Sequence, residues 1–372
     1  MKTDDQMKFS KWLQQICAQT LARFFPGSEI SIADEIATRW TERHRVWHGL
    51  THLREMLEAI DGNSSGDEAS LLQLTALFHD AIYDPKSANN ELASARLLAA
   101  RAKEPQSSLV RRACELIIAS KWDSCGDDAL TRRFFELDTH QISDRATLAE
   151  RLHYERCILR EYQWASFPFY REKRADFLRG WAARFPQHSK GAALCLEILA
   201  AIEPRIGVYP GSFDPFHRGH LSILRQAERL FDKVIVAIGI NRQKLRATGA
   251  DEIAEMEKRQ ALLGEQLRFH EVATFGGLLT DYIAGLGHSA VLVRGVRDGT
   301  DLEAELRLSR FLNELRADSN SVWISCEAEL QHLSSSAIRE LESIQPRAGQ
   351  RYVPCAAEIY GLVPFEDAQS AS

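Results

Sequence analysis

No apolar run in this 372-residue chain approaches the length of about 20 residues that a membrane-spanning helix needs, which excludes a helical membrane protein. The seven cysteines are scattered, odd in number and never spaced C-x-x-C. That excludes a disulfide framework and a zinc ribbon, and it fits a reducing cytoplasm. The N-terminus, Met1-Lys-Thr-Asp-Asp-Gln-Met-Lys8, has no apolar core of the secretory kind. Positive charge is in deficit: the formal net charge of -6 argues against a nucleic-acid partner held by bulk electrostatics. Internal repeats and low-complexity tracts are missing. The expectation is a cytoplasmic globular chain with neither membrane nor nucleic acid as partner.

What is present is an ordinary globular balance, 45% hydrophobic and 26% charged, long enough for two or three domains. From Phe9 to about Ile202 the apolar spacing is helical nearly throughout: Leu50, Leu53, Met56, Leu57 and Ile60 form one stripe, and Leu71 to Phe78 another. Glu203-Pro204-Arg205 breaks the last helix. Beyond it short apolar runs, Ile206–Tyr209, Val234–Ile240, Phe269–Val272, Val291–Val293 and Val322–Ile324, alternate with helical stretches. Such alternation predicts a parallel sheet covered on both faces. We therefore expect an all-α domain over 1–203 and a Rossmann-like α/β domain over 204–372.

The most specific string is Tyr209-Pro-Gly-Ser-Phe-Asp-Pro-Phe-His-Arg-Gly-His220, between the first strand and a helix running from about Leu221 to Phe231. A strand-to-helix turn aims free N–H groups and the positive end of a helix dipole at one point, which suits a phosphate. His217 and His220, three apart, can share a face at the mouth of that helix. Other strand ends add Asn241–Lys244, Arg294-Gly-Val-Arg297 with Asp301 and Glu305, and Ser334-Ser-Ser336 before a helix. All belong to the carboxyl edge of the sheet, where open α/β folds bind ligands. This half has no Ser-His-Asp or Cys-His grouping, so a covalent intermediate is not required.

The histidine string resembles the nucleotidyltransferase signature, whose two histidines contact the triphosphate of ATP. With Lys244, Leu279, Val293–Arg297, Asp301–Glu305 and Ser334–Arg339, the half resembles phosphopantetheine adenylyltransferase. The resemblance implies ATP with Mg2+ and 4'-phosphopantetheine as substrates, and a homo-oligomer. It implies that Ser212, Lys244, Leu279 and Arg294 contact the pantetheine substrate. ATP would lie against Ser212, Phe213, His217, His220, Gly295, Val296, Arg297, Glu305, Leu330, Gln331, His332, Leu333, Ser334, Ser335 and Ser336. His220, Lys244 and Arg294 would carry catalysis. A nicotinate-mononucleotide adenylyltransferase shares the histidine motif and is the nearest alternative. The stretch after Lys244 departs from the family's usual Thr-x-Glu-Glu-Arg helix start.

In the helical half, Trp47-His48-Gly-Leu-Thr-His52 places two histidines at i, i+4, expected on one helix face. Phe78-His79-Asp80 runs to Asp84 before the breaker Pro85, and Glu136-Leu-Asp138-Thr-His140 ends a helical run. Imidazole and carboxylate suit a divalent transition metal. A His-Asp neighbour pair on a helix, its side chains about 100° apart, can reach into one gap between helices. With Asn90–Ala95, Arg160–Tyr162 and Tyr170–Arg174, these strings resemble the HD-superfamily metal-dependent phosphohydrolases. That resemblance implies His52, His79, Asp80 and Asp138 as ligands of Mn, Fe, Ni, Co or Zn, with His48 a second candidate for the first position and Glu91 facing the same cavity. The chain carries Asp123 where relatives tend to have histidine, and His140 where the pattern has a second aspartate. A non-catalytic nucleotide-sensing domain is the alternative for this half.

Overall fold

A computed structural model describes residues 3–61, 66–123, 126, 128–239, 252–287, 289–315 and 320–365. It separates into two units, the first made of Met1–Glu161, Arg171–Ala201 and the segment from Tyr360 on, the second of Tyr162–Tyr170 and Ile202–Ile359. The change of character falls between Ala201 and Ile202, but two short segments lie on the other side of a cut at 203/204. Among the described residues no helix is long and apolar enough to cross a membrane.

The first unit is helical, as its spacing predicts. The helix Gly66–Phe78 is buried at every residue from Ser70 to Phe78. A helix apolar all round belongs at the centre of a bundle rather than on its surface. Helices Leu50–Asp61, Asn90–Arg101, Ser108–Ala119, Ala129–Asp138 and Leu148–Glu161 complete the elements that matter for its chemistry. Two sequence readings need correction. The Leu50–Asp61 helix begins after His48, so His48 and His52 do not share a helix face. The chain there stays in a turn because the Glu161 carboxylate accepts the N–H groups of Val46, Trp47 and His48, at 2.7, 2.7 and 2.8 Å. Likewise the helix of His79 ends at Phe78, and His79-Asp80 forms the turn that follows.

Among the described residues the second unit holds five parallel strands, β1 (Ile206–Gly211), β2 (Lys233–Gly239), β3 (Glu271–Phe275), β4 (Ala290–Val296) and β5 (Ser321–Ser325). Their order is β3-β2-β1-β4-β5. Strand β3 starts two residues later than the apolar run Phe269–Val272 suggests, since Phe269 is core before the strand begins. Residues Val234–Ile238 are buried without interruption, the unbroken apolar reading of a strand covered on both faces. The chain winds outward from β1 to β3 and then crosses to β4 on the other side of β1. The switch point therefore lies at the carboxyl ends of β1 and β4, where a crevice must open.

The segment Tyr162–Tyr170 belongs to this unit for an identifiable reason. The Lys233 ammonium, 1% exposed, donates to the carbonyls of Gln163 (2.5 Å) and Ala165 (2.7 Å) and pairs with Glu271 at 2.8 Å. The Glu271 N–H in turn donates to the Gln163 carbonyl. Burial pushes the Lys233 pKa down and Glu271 pulls it back up. Lys233→Met strands two carbonyls and a carboxylate, and should lower unfolding free energy by about 2–4 kcal/mol in urea titration.

Candidate functional sites

In the second unit the strand ends converge. A cavity of about 350 Å³ opens at the carboxyl edge of β1 and β4. The helix Arg218–Leu230 points its N-terminus there, with His217 as its cap. The His217 Nδ1 accepts the Gly219 N–H at 3.1 Å, and the His220 Nδ1 accepts the His217 N–H at 3.3 Å. A ring nitrogen that accepts from a backbone amide carries no proton. Both imidazoles are thereby set in the tautomer whose Nε2 is the donor. The two rings stack with centroids 3.8 Å apart. The His217 Nε2 is buried and has no hydrogen-bond partner among the described residues.

Burial pushes the His217 pKa down to about 4, with Arg297 adding to the effect. Burial, then His217 and Arg297, hold His220 well below its ordinary value. Both are neutral donors at neutral pH. Between about pH 6.5 and pH 4 the unfolded chain takes up a proton at residue 217 that the folded chain refuses, so stability falls on acidification through that window. His217→Asn keeps a capping side chain, and its stability curve should be flatter than the wild type's by up to about 3 kcal/mol across this range in denaturant titrations.

The rest of the wall comes from three other places. Arg294 and Gly295–Arg297 lie at the end of β4. Gly295 is glycine because a Cβ there would stand 2.9 Å from the Ile223 side chain on the helix behind. The Arg294 guanidinium grips Glu305 with two hydrogen bonds, and Arg297 pairs with Asp301 at 2.6 Å. Ser334 caps the helix Ser335–Ile344 through the Ala337 N–H, so a second helix N-terminus faces the cavity. The Ser335 hydroxyl donates to the Pro215 carbonyl and Arg339 to that of Asp214, tying this helix to the motif loop. In that loop Phe213 takes φ +47°, and its ring fills the space a Gly211 Cβ would need.

Of the residues read from the sequence, Ser212, Phe213, His217, His220, Arg294–Arg297, Glu305 and Leu333–Ser336 line this one cavity. Leu330, Gln331 and His332 precede Leu333 in the chain and do not line it. Leu279 begins the helix Leu279–Gly285 and is likewise absent from its wall. Lys244 lies outside the described residues.

In the first unit His52, His79 and Asp80 bring potential ligand atoms within 4.8 Å of one another. Asp138 joins them, 3.2 Å from His52 Nε2 and 3.4 Å from His79 Nε2. His79 Nδ1 lies 2.9 Å from the Ala76 carbonyl and must carry the proton it donates there. Its buried Nε2 faces the Asp80 carboxylate at 3.2 Å without hydrogen-bond geometry. Burial opposes charge on His79, yet Asp80 and Asp138 raise its pKa well above the ordinary value, so a proton or a cation at Nε2 relieves the two carboxylates, and imidazole with carboxylate is the donor set of a divalent transition metal. Burial opposes ionisation of Asp80 and Asp138, yet the histidines hold both carboxyls well below their usual range.

His48 stands outside this cluster. Its Nδ1 donates to Glu161 at 2.7 Å and its ring stacks on Tyr83. Burial opposes charge on His48, and Glu161, Asp80 and Asp138 raise its pKa. Glu91 is half-buried and raised by burial and by Asp80, which places it in the same field. Asp123 is at the surface near Arg184, and His140 lines a separate cavity of about 420 Å³ that reaches the cluster at His52. Sequence reading passed over Trp122, which donates its indole N–H to Asp138 at 2.6 Å from a left-handed backbone with φ +55°. It also passed over Tyr83, whose hydroxyl donates to Glu161. No local pattern signals either, since both partners are distant in sequence.

Comparison with known proteins bears on the second unit. The cytidylyltransferase-like family matches residues 208–341. A phosphopantetheine adenylyltransferase of Geotalea daltonii is 38% identical over 160 residues, 43% of this chain and 90% of that protein. One from Geobacter sulfurreducens is 36% identical over 160 residues, 43% of this chain and 88% of that protein. A solved lipopolysaccharide core biosynthesis protein of Thermoplasma volcanium, 24% identical, covers 33% of this chain and 98% of its own, with a TM-score of 0.26.

Proposed function

Because the chain belongs, through its second unit, to the phosphopantetheine adenylyltransferase family, we propose that it transfers the adenylyl group of ATP to 4'-phosphopantetheine, giving dephospho-coenzyme A and pyrophosphate. The observation that carries this reading is the single cavity in which two neutral histidines, two helix N-termini, Arg294 and Arg297 meet. The substrate's phosphate attacks the α-phosphorus of ATP in line, one P–O bond forms, the bond to the β-phosphate breaks, and pyrophosphate carries away the electron pair. No side chain need become covalently attached, so the protein's task is positioning and charge stabilisation. His220 Nε2–H and the N-terminus of its helix donate to oxygens of the α-phosphate as charge grows there. Arg294, with Lys244 assigned by resemblance, holds the attacking phosphate and offsets repulsion between two anions. ATP enters as its magnesium complex, whose cation shields the triphosphate.

Nicotinate mononucleotide is the competing acceptor. A ratio of kcat/KM values favouring 4'-phosphopantetheine by at least about 100-fold, in a pyrophosphate-release assay with saturating ATP, is the expected result. A ratio of one or below contradicts the acceptor assignment and leaves nucleotidyl transfer standing. The reading also includes a cytoplasmic homo-oligomer.

For the first unit, the buried His52–His79–Asp80–Asp138 grouping supports a second reading, an HD-like metal-dependent phosphohydrolase over residues 1–203. These four residues would hold a divalent transition metal of the Mn, Fe, Co, Ni or Zn class, which when bound activates water and polarises a phosphoryl oxygen. The protein's own contribution is the pre-set geometry: the Ala76 carbonyl fixes the His79 tautomer, and Trp122 fixes Asp138. Hydrolysis of phosphate esters by the metal-loaded full chain, abolished by His79→Asn with adenylyl transfer intact, is the expected outcome.

A further inference from the structure

The segment that follows the adenylyl-transfer half in sequence, Tyr360–Phe365, is part of the first unit and is built into its framework. The Tyr360 carbonyl accepts the Arg43 N–H at 2.8 Å, and the Tyr360 ring meets His44 edge-on. The Val363 N–H donates to Glu42 Oε1 at 3.0 Å. Arg39 donates to the Val363 carbonyl at 3.2 Å and lies over the Phe365 ring.

Glu42 does more than receive this segment. Its other carboxylate oxygen takes the Arg45 Nε at 3.0 Å. The Arg45 side chain is fully buried, and its guanidinium is spent on three carbonyls: Asp80 at 2.6 Å, His48 at 3.2 Å and Ala81 at 3.2 Å. Arg45 therefore ties the turn before the His52 helix to the turn that carries Asp80. A fixed five-donor fork suits such a clamp, because it can serve several carbonyls from one rigid plane. Its position depends on Glu42, and the second oxygen of Glu42 is engaged by the terminal segment.

We propose that Arg45 is a positioning residue of the His/Asp centre and that the Tyr360–Phe365 segment sets it, through Glu42, so that the centre takes its metal-binding geometry only when the chain continues past the adenylyl-transfer half. The proposal rests on the metal-centre reading above. It assigns a physical reason for the fusion: the far end of the polypeptide supplies a structural part of the near end's site. Neither Glu42 nor Arg45 touches the metal in this account; both act on the backbone that presents Asp80.

The test uses the full chain, the chain ending at Ile359, and Val363→Pro, which removes the N–H that Glu42 accepts. Mn2+ affinity is read by water-proton relaxation, and amide hydrogen exchange by mass spectrometry over 40–49 and 79–84. Both altered chains should bind Mn2+ about tenfold or more weakly, as loss of charge-assisted hydrogen bonds would give. Exchange in both segments should rise, while exchange over 66–78 and 148–159 of the same unit stays at the wild-type level as evidence that the unit is folded. Unchanged exchange in those segments overturns the proposal whatever the metal result. Raised exchange with Mn2+ affinity equal to wild type overturns the link to the centre. A wild-type chain that binds no Mn2+, Co2+ or Zn2+ overturns the metal-centre reading itself, and the proposal's link to it, while the exchange data still decide the positioning.

Discussion

His220→Ala is expected to lower the turnover of adenylyl transfer by about 10²–10³-fold, the range set by removing one preorganised donor to a developing oxyanion. Steady-state pyrophosphate release measures it. The His220 ring is held by the His217 N–H at Nδ1 and packed among Phe213, Phe216 and His217, so its Nε2–H needs no reorganisation when charge develops. Its neutrality at neutral pH means that a proton donor, not a fixed charge, is lost. The His217 cap and the helix it starts survive the change, so the KM for ATP should move far less than kcat. Turnover near wild type would remove His220 from the mechanism.

The second large effect belongs to the other unit. Asp138→Asn should reduce retained metal by more than the roughly 10–100-fold that loss of an outer partner costs a metal site. Asp138 faces His52 and His79 and is itself fixed by Trp122. An amide keeps the shape but not the charge, and it can turn its NH2 toward the histidine lone pairs and fill the place of the cation. Metal analysis after dialysis against Mn2+ is the check. Full occupancy in the variant would leave His52, His79 and Asp80 as a sufficient set and remove Asp138 from it.

The sequence made the second unit legible because its signals are local. A buried strand, a turn motif and a helix start follow one another within Ile206–Leu230, and parallel winding then fixes where the other strand ends must come. The cluster of the first unit was legible in its residues and illegible in its scaffolding. His48 and His52 look like a helical pair by spacing, yet Glu161, 113 residues from His48, caps the intervening turn and separates them. Periodicity reports which face is buried; it carries no information about which distant carboxylate satisfies a run of N–H groups. The same holds for Trp122 on Asp138 and for Val363 on Glu42, each a single long-range hydrogen bond outside any repeating pattern. Resemblance alone puts Leu279 on the pantetheine side, and Leu279 does not line the cavity.

The central claim is that loops at one rim of the parallel sheet form one site for adenylyl transfer to a pantetheine phosphate. Mass spectrometry of a single reaction, full chain with Mg-ATP and 4'-phosphopantetheine, tests it most directly. The account predicts dephospho-coenzyme A and pyrophosphate in equal amounts, with no AMP or ADP. Absence of the adenylylated product, or release of AMP or ADP in its place, would contradict it.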